Sequence, residues 1–342
     1  MRLLGENLRS TAAALGVVLL LGACGGDDGP TAETETRPEE KVKIALVTDV
    51  GQLNDRGFNQ LAYGGLRRAE KELGVEIRVA QSRSSADYVP NHTSLARQGF
   101  DLIIGVGFAQ GEAVAAAAKS FPDTNYAIID VDQTTLPGKP PNVLGVLFRE
   151  EQAGYLAGVL AALSVKESPP VVGSVGGFKE PPVDRFIAGY RAGAKFSEPS
   201  VQTLNGYSSD WDDQAKCKEL ALNQIARGAT VVFQVAGGCG LGALDAARER
   251  GVWGIGVDAD QSFLGGHVLT SAVKRVDEAV FRIIRSVTDG TWKAGLNVTF
   301  GLAEKGVGLG KLSPDVPEEH RRTLEDVERK ILAGEIQIPR SL

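Results

Sequence analysis

Short apolar runs separated by polar, glycine-containing joints recur from residue 43 onward. Residues 43–48 (KIALVT) form such a run, stopped by Asp49 and Gly51, the pattern of a strand buried on both faces. Residues 57–73 place Phe58, Leu61, Ala62, Leu66, Ala69 and Leu73 near helical spacing, and Gly74 supplies the stop. Strands predicted at 77–80, 102–106, 126–130 and 143–147 alternate with helices at 88–98, 111–119 and 150–163. The alternation then restarts, with strands at 171–175, 201–205, 231–235, 252–257 and 268–271 and helices at 184–196, 213–227, 242–250 and 276–288. A last amphipathic helix is predicted at 324–332. Two βα runs of about 100 residues each predict an α/β chain of two doubly wound, mainly parallel-sheet lobes.

The first residues do not fit this alternation. Arg2 and Arg9 precede an apolar stretch from Thr11 to Leu21, too short to span a bilayer and of the form of a signal peptide. Gly22 and Ala23 before Cys24 resemble the lipobox of bacterial lipoproteins, in which the cysteine thiol is acylated and becomes the mature N-terminus. Residues 25–41 are mostly Gly, Asp, Thr, Glu, Pro and Lys, and cannot join a core. A flexible tether of that length reaches roughly 20–25 Å, enough to hold a folded body near a membrane.

Composition narrows the function. The 342 residues carry a net charge of −6, which argues against a nucleic-acid binder, since those need a basic surface. Three Cys and three His in scattered positions fit no metal site. No phosphate-cradling Walker sequence occurs, and no cofactor is implied.

Ligands of doubly wound sheets sit beyond the carboxyl ends of the strands, so the residues there matter most. Asp49, Asn54, Asp55, Phe58 and Asn59 follow the first predicted strand, and Gly107 and Phe108 the third. Asp130 and Asp132 flank Val131. Later strand ends bring Phe178, Tyr207, Asp210, Trp211, Gly237, Gly238, Asp258, Asp260 and Lys274. Each Asp taken singly reads as a helix cap. Together they offer carboxylate acceptors, amides, flat aromatic faces and one cation, an inventory suited to a neutral, flat, hydroxylated molecule.

Residues 47–66 (VTDVGQLNDRGFNQLAYGGL) resemble the opening signature of the BMP family of basic-membrane-protein lipoproteins, which is similar to purine nucleoside receptors of the PnrA type. Further similar stretches are 101–114, 154–162, RFIAGYRAGAK at 185–195, IGVDADQ at 255–261, LTSAVKRVDEAV at 269–280 and GEIQIP at 334–339. The resemblance spans nearly all of residues 42–339. It implies an extracytoplasmic, lipid-anchored substrate-binding protein of an ABC importer, with the type I periplasmic binding fold and a membrane permease as partner. The N-terminal lobe would comprise 42–147 plus about 272–292, and the C-terminal lobe 148–271 plus about 293–339, joined by a hinge. The resemblance also implies a nucleoside base held between two aromatics. The first matches Phe58, with Asn59 beside it. The second, usually Phe in the family, matches Trp211. Asp49 and one acid of the Asp130/Asp132 pair match base or ribose contacts. Asp258, Lys274 and the backbone at Gly237 or Gly238 match the ribose side. Asp55 and Phe108 complete the candidate set, and Asp130 is favoured over Asp132.

Cys217 lies early in a predicted helix and Cys239 follows the next strand, so both fall on the cleft side of the second lobe. In an exported protein this predicts a Cys217–Cys239 disulfide. Three other readings compete. A nucleoside hydrolase would want a carboxylate where Val47 stands, and His92, His267 and His320 are scattered. A sugar-repressor-like regulator would need a helix-turn-helix where residues 1–40 offer a signal and tether. A binding protein for a sugar or another small neutral solute is the closest rival. A monomer is the default oligomeric expectation.

Overall fold

The computed structural model describes residues 41–166 and 168–342; the predicted signal segment, Cys24 and most of the tether lie outside them. Strands β1 (Lys43–Val50), β2 (Glu76–Ser82), β3 (Leu102–Gly105), β4 (Asn125–Ile129) and β5 (Val143–Phe148) alternate with helices α1 (Phe58–Leu73), α2 (Tyr88–Arg97) and α3 (Gly111–Ser120). The second run contains α4 (Glu150–Leu163), β6 (Val171–Gly176), α5 (Pro181–Ser197), β7 (Gln202–Tyr207), α6 (Gln214–Ala226), β8 (Val231–Val235), α7 (Gly240–Arg250), β9 (Trp253–Asp258) and β10 (Val268–Lys274). Then follow α8 (Val276–Thr288), β11 (Leu296–Phe300), β12 (Val307–Leu309) and α9 (Glu318–Leu332).

The strands form two six-stranded sheets in the orders β11-β5-β4-β3-β1-β2 and β12-β10-β9-β8-β6-β7. All described pairings are parallel except β10 with β12. The orders are equivalent, so each strand of one lobe has a counterpart in the other, β4 matching β9 and β5 matching β10. The central strands are apolar and buried, as sheets covered on both faces require.

The chain changes lobes three times. After β5 it enters α4, which packs on α5; after β10 it returns through α8, which packs on α1. It then adds β11 to the edge of the first sheet before β12 joins the second. This corrects the expected boundary at residue 293. β11 (LNVTF) is half exposed and has no strong apolar run, so its pairing with β5 is a tertiary choice. Helix α5 starts at Pro181 rather than 184 because its first turn needs no backbone donor from Pro181 and Pro182. Helix α9 starts at Glu318 rather than 324, its first turns (EEHRRT) being polar and without an apolar stripe. Cys217 and Cys239 are fully buried and joined in a disulfide, with Cα atoms 5.6 Å apart.

Candidate functional site

Both sheets aim their carboxyl ends at one cavity of about 650 Å³ of empty space, its mouth included. Eleven of the twelve residues expected at the ligand line it: Asp49, Asp55, Phe58, Asn59, Phe108, Asp130, Trp211, Gly237, Gly238, Asp258 and Lys274. Asp132 does not. It is the cap of the short 3-10 turn Gln133–Thr135, its Oδ1 accepting the Thr134 amide at 2.8 Å and the Asn297 amide group at 2.7 Å.

The two lobes divide these acids in the same way. Asp130-Val131-Asp132-Gln133 after β4 and Asp258-Ala259-Asp260-Gln261 at β9 are a short internal repeat at matching strand ends. In each copy the first Asp has a positive φ, 73° at Asp130 and 61° at Asp258, and lines the cavity. The second Asp accepts a backbone amide two residues on, from Thr134 or Ser262. Left-handed backbone suits Asp better than most residues, and it turns the side chain off the strand line toward the cleft. This repeat was the available signal for choosing between Asp130 and Asp132.

Asp49 is the penultimate residue of β1 and is held from three sides. Its Oδ1 accepts the Val50 amide at 2.7 Å and the Tyr88 hydroxyl, while its own N–H donates to Asn59 Oδ1 at 3.2 Å. Its other face lies over Gly107, whose φ is 111°; a Cβ there would fall 2.1 Å from Asp49 Oδ2. Burial pushes the Asp49 carboxyl up to about 6, against the pull of the Tyr88 and Val50 donors. Asp55 reaches the cavity too, yet its oxygens cap the start of α1. They accept the amides of Gly57 at 2.9 Å, Asn59 at 2.8 Å and Gln60 at 3.1 Å.

Lys274 is buried at the end of β10. Its ammonium donates to both oxygens of Asp130, at 2.6 and 2.7 Å, and to Glu150 Oε1 at 2.9 Å; Glu150 in turn accepts from Arg185 Nε at 2.6 Å. Burial opposes the charge on Lys274, but Asp130 and Glu150 outweigh it and hold the amine above its ordinary range. Likewise burial would raise Glu150, and Lys274 with Arg185 keeps it below the usual value. The ammonium also stands 5.1 Å from the Phe58 ring centre and 4.8 Å from that of Phe148. Asp258 faces this cluster without accepting a hydrogen bond among the described residues. Burial, with repulsion from Asp55 and Asp130, lifts its carboxyl to about 7 despite the attraction of Lys274.

Trp211 comes from the loop after β7. Asp210 Oδ1 accepts the Asp212 and Asp213 amides, at 2.9 and 3.0 Å, and Asp210 Oδ2 takes the Lys216 ammonium at 2.7 Å. Asp210 therefore braces the loop and does not line the cavity. The Trp211 carbonyl accepts the Cys239 amide at 2.8 Å, so the disulfide sits beneath the loop. The indole rests on bare backbone, since a Cβ at Gly177 would lie 2.2 Å from it, and on Phe178, with ring centres 5.3 Å apart. Gln261 Nε2 donates across the cleft to the Arg56 carbonyl at 3.3 Å, and Arg56 lies 5.6 Å from the Phe263 ring centre.

Several lining residues have no counterpart in the sequence reading: Glu180, Asp212 and the apolar Pro182, Val183 and Phe186. The last four belong to or flank helical segments and read as ordinary helix or cap residues. Among the described residues no group of three or more His, Cys, Asp or Glu side chains could hold a metal, and no helix is long and apolar enough to cross a membrane.

The chain is similar over 96% of its length to the ABC transporter nucleoside-binding protein BmpA of Lactococcus lactis, at 34% identity and 97% coverage of that protein. It is 36% identical to a lipoprotein of Pyrococcus abyssi, over 91% of this chain and 78% of that one. Among solved structures, a solute-binding protein of an ABC transporter system from Aeropyrum pernix superposes with a TM-score of 0.79 at 29% identity, covering 86% of this chain and 92% of that chain. The family model for PnrA-like ABC transporter substrate-binding proteins matches residues 41–341. The fold is thus that of the periplasmic solute-binding proteins of type I, and the chain belongs to the Bmp family, whose members are substrate-binding components of ABC transporters and not enzymes.

Proposed function

We propose that this substrate-binding protein captures a nucleoside, of purine type, in the interlobe cavity and presents it to its permease. The observation that carries this reading is the joint lining of one cavity by Phe58, Trp211 and the Asp49, Asp130, Asp258 and Lys274 side chains, drawn from both lobes. The base stacks between the two rings, each face worth about 1–3 kcal/mol. Asp130 and Asp258 accept the ribose hydroxyls beside Lys274, and hydrogen bonds to charged groups are worth about 1.5–3 kcal/mol each. Two stacks and two such bonds total roughly 5–12 kcal/mol gross, against about 8 kcal/mol net for micromolar binding. The name of the Lactococcus lactis relative points the same way.

Ligand contacts from both lobes favour a closed form, and the segments that cross between lobes serve as the hinge. Cys24 carries the lipid anchor, and the monomer is the working unit. Isothermal titration of ligand-free protein with nucleosides and with pentoses and hexoses tests the reading. Micromolar or tighter binding of a nucleoside, lost in Phe58→Ala, is expected. Binding of a free sugar with no response to any nucleoside would overturn it in favour of a sugar receptor.

A further inference from the structure

Glu180 stands just before α5, in extended backbone, at the position where a side chain commonly caps a helix; its carboxylate makes no such bond. It lines the cavity instead, as does Asp49 of the opposite lobe. Among the described residues the Glu180 carboxylate accepts no hydrogen bond and forms no ion pair. Burial together with Asp49 and Asp130 pushes it up to about 7. Asp49 spends Oδ1 on Tyr88 and Val50, while its Oδ2 accepts no hydrogen bond among the described residues and lies against the bare backbone of Gly107, which lines the same cavity. Two buried carboxylates lining one cavity, one without a partner and one with a free oxygen, are unfavourable unless the ligand brings hydrogen-bond donors to both.

The other end of the cavity differs. There Asp130 and Asp258 stand with Lys274, a mixed set suited to hydroxyls that both donate and accept. The Asp49–Glu180 end offers two carboxylates, and Lys274 is the one cation among the described residues lining the cavity. Resting on the nucleoside reading above, we propose that Glu180 and Asp49 form a two-acceptor clamp on the base edge that selects 2-amino-6-oxopurine nucleosides. That edge presents an N1–H and an adjacent amino group, two donors side by side. Inosine lacks the amino group, and adenosine turns the N1 lone pair toward a carboxylate.

Isothermal titration of the full chain, freed of ligand, with guanosine, inosine and adenosine decides the matter. Guanosine is expected to bind about ten- to a hundredfold more tightly than inosine. Glu180→Leu is expected to bring that ratio to within about threefold of one. Glu180→Gln, which places an amide donor at the edge, is expected to shift preference toward adenosine, and it serves as the second variant if the leucine form fails to fold. Equal guanosine and inosine affinities in the wild type, or a ratio that neither variant alters, would overturn the clamp while leaving the nucleoside reading standing. Failure of all three nucleosides to bind would overturn both.

Discussion

The Lys274 ammonium and the Asp130 carboxylate, from strand ends in opposite lobes, meet at 2.6 and 2.7 Å in a buried cluster closed by Glu150 and Arg185. Two carboxylates and two cations balance there, so each member depends on its partners. Removing one side of a buried pair leaves an uncompensated charge, at a cost of about 3–5 kcal/mol. Lys274→Met is expected to lower unfolding free energy by that amount in urea melts, and Asp130→Asn by less, since Glu150 still partners Lys274. The double variant should lose less than the sum of the two singles. Additive losses would show that the pair is not coupled.

Trp211 offers an optical readout of the cleft. The chain has three tryptophans, and of these Trp211 alone lines the cavity. Ligand binding is expected to change the emission of the wild type and not that of Trp211→Phe. Loss of one stacking face in Phe58→Ala or Trp211→Ala should weaken binding by about 1–3 kcal/mol, roughly 5- to 150-fold. Unchanged affinity in both alanine variants would remove the stacking arrangement.

The disulfide supports the same loop. It closes a separation of 22 residues, and Cys239 donates its amide to the Trp211 carbonyl. Replacing both cysteines with alanine is expected to cost about 2–4 kcal/mol of stability. Ligand affinity should fall as well, because the loop carrying the indole loses its base. A double variant with wild-type melting temperature would contradict this.

Stability of the ligand-free protein is expected to fall as pH rises. Burial lifts Asp49 to about 6 and Glu180 and Asp258 to about 7, above the ordinary carboxylate range near 4. Between about pH 4 and 7 the folded chain retains protons that the unfolded chain has released, so each rise in pH favours unfolding. Buried His92, pushed down to about 4, and His267, also held below its ordinary value by burial, act in the opposite sense below about pH 6.5, while burial raises Asp55 and Asp130 alongside the three carboxylates above. The melting temperature at about pH 5 should exceed that at about pH 8, and Glu180→Gln should narrow the gap. A melting temperature that climbs across this interval would refute the assignment.

Gly107 is a position where two constraints coincide. Its φ of 111° disfavours any side chain, and a Cβ would strike Asp49 Oδ2. Gly107→Ala is expected to displace Asp49 and weaken ligand binding at least tenfold, a loss of about 1.4 kcal/mol, read by titration. Retention of full affinity would place Asp49 outside the contact set.

The apolar runs made most strands legible, because a buried parallel strand leaves a continuous hydrophobic signature that local composition records. β11 escaped because its residues are half exposed and its partner, β5, lies far away in sequence. The polar start of α9 and the proline start of α5 escaped because neither carries an apolar period. Asp49, Phe58, Trp211, Asp258 and Lys274 were visible as polar or aromatic residues just past strands. Glu180 was not, since a Glu before two prolines and a helix reads as a helix start.

Sequence alone determined which residues gather at the carboxyl edges of two sheets, because strand direction and alternation follow from the order of apolar runs and turns. Only the tertiary structure decided which of them face the cavity. Asp130 turns inward and Asp132 caps a turn, Asp55 is occupied by α1, and Glu180 is left open toward Asp49. Those outcomes depend on backbone angles and on hydrogen-bond partners supplied by distant segments, and no local pattern encodes either.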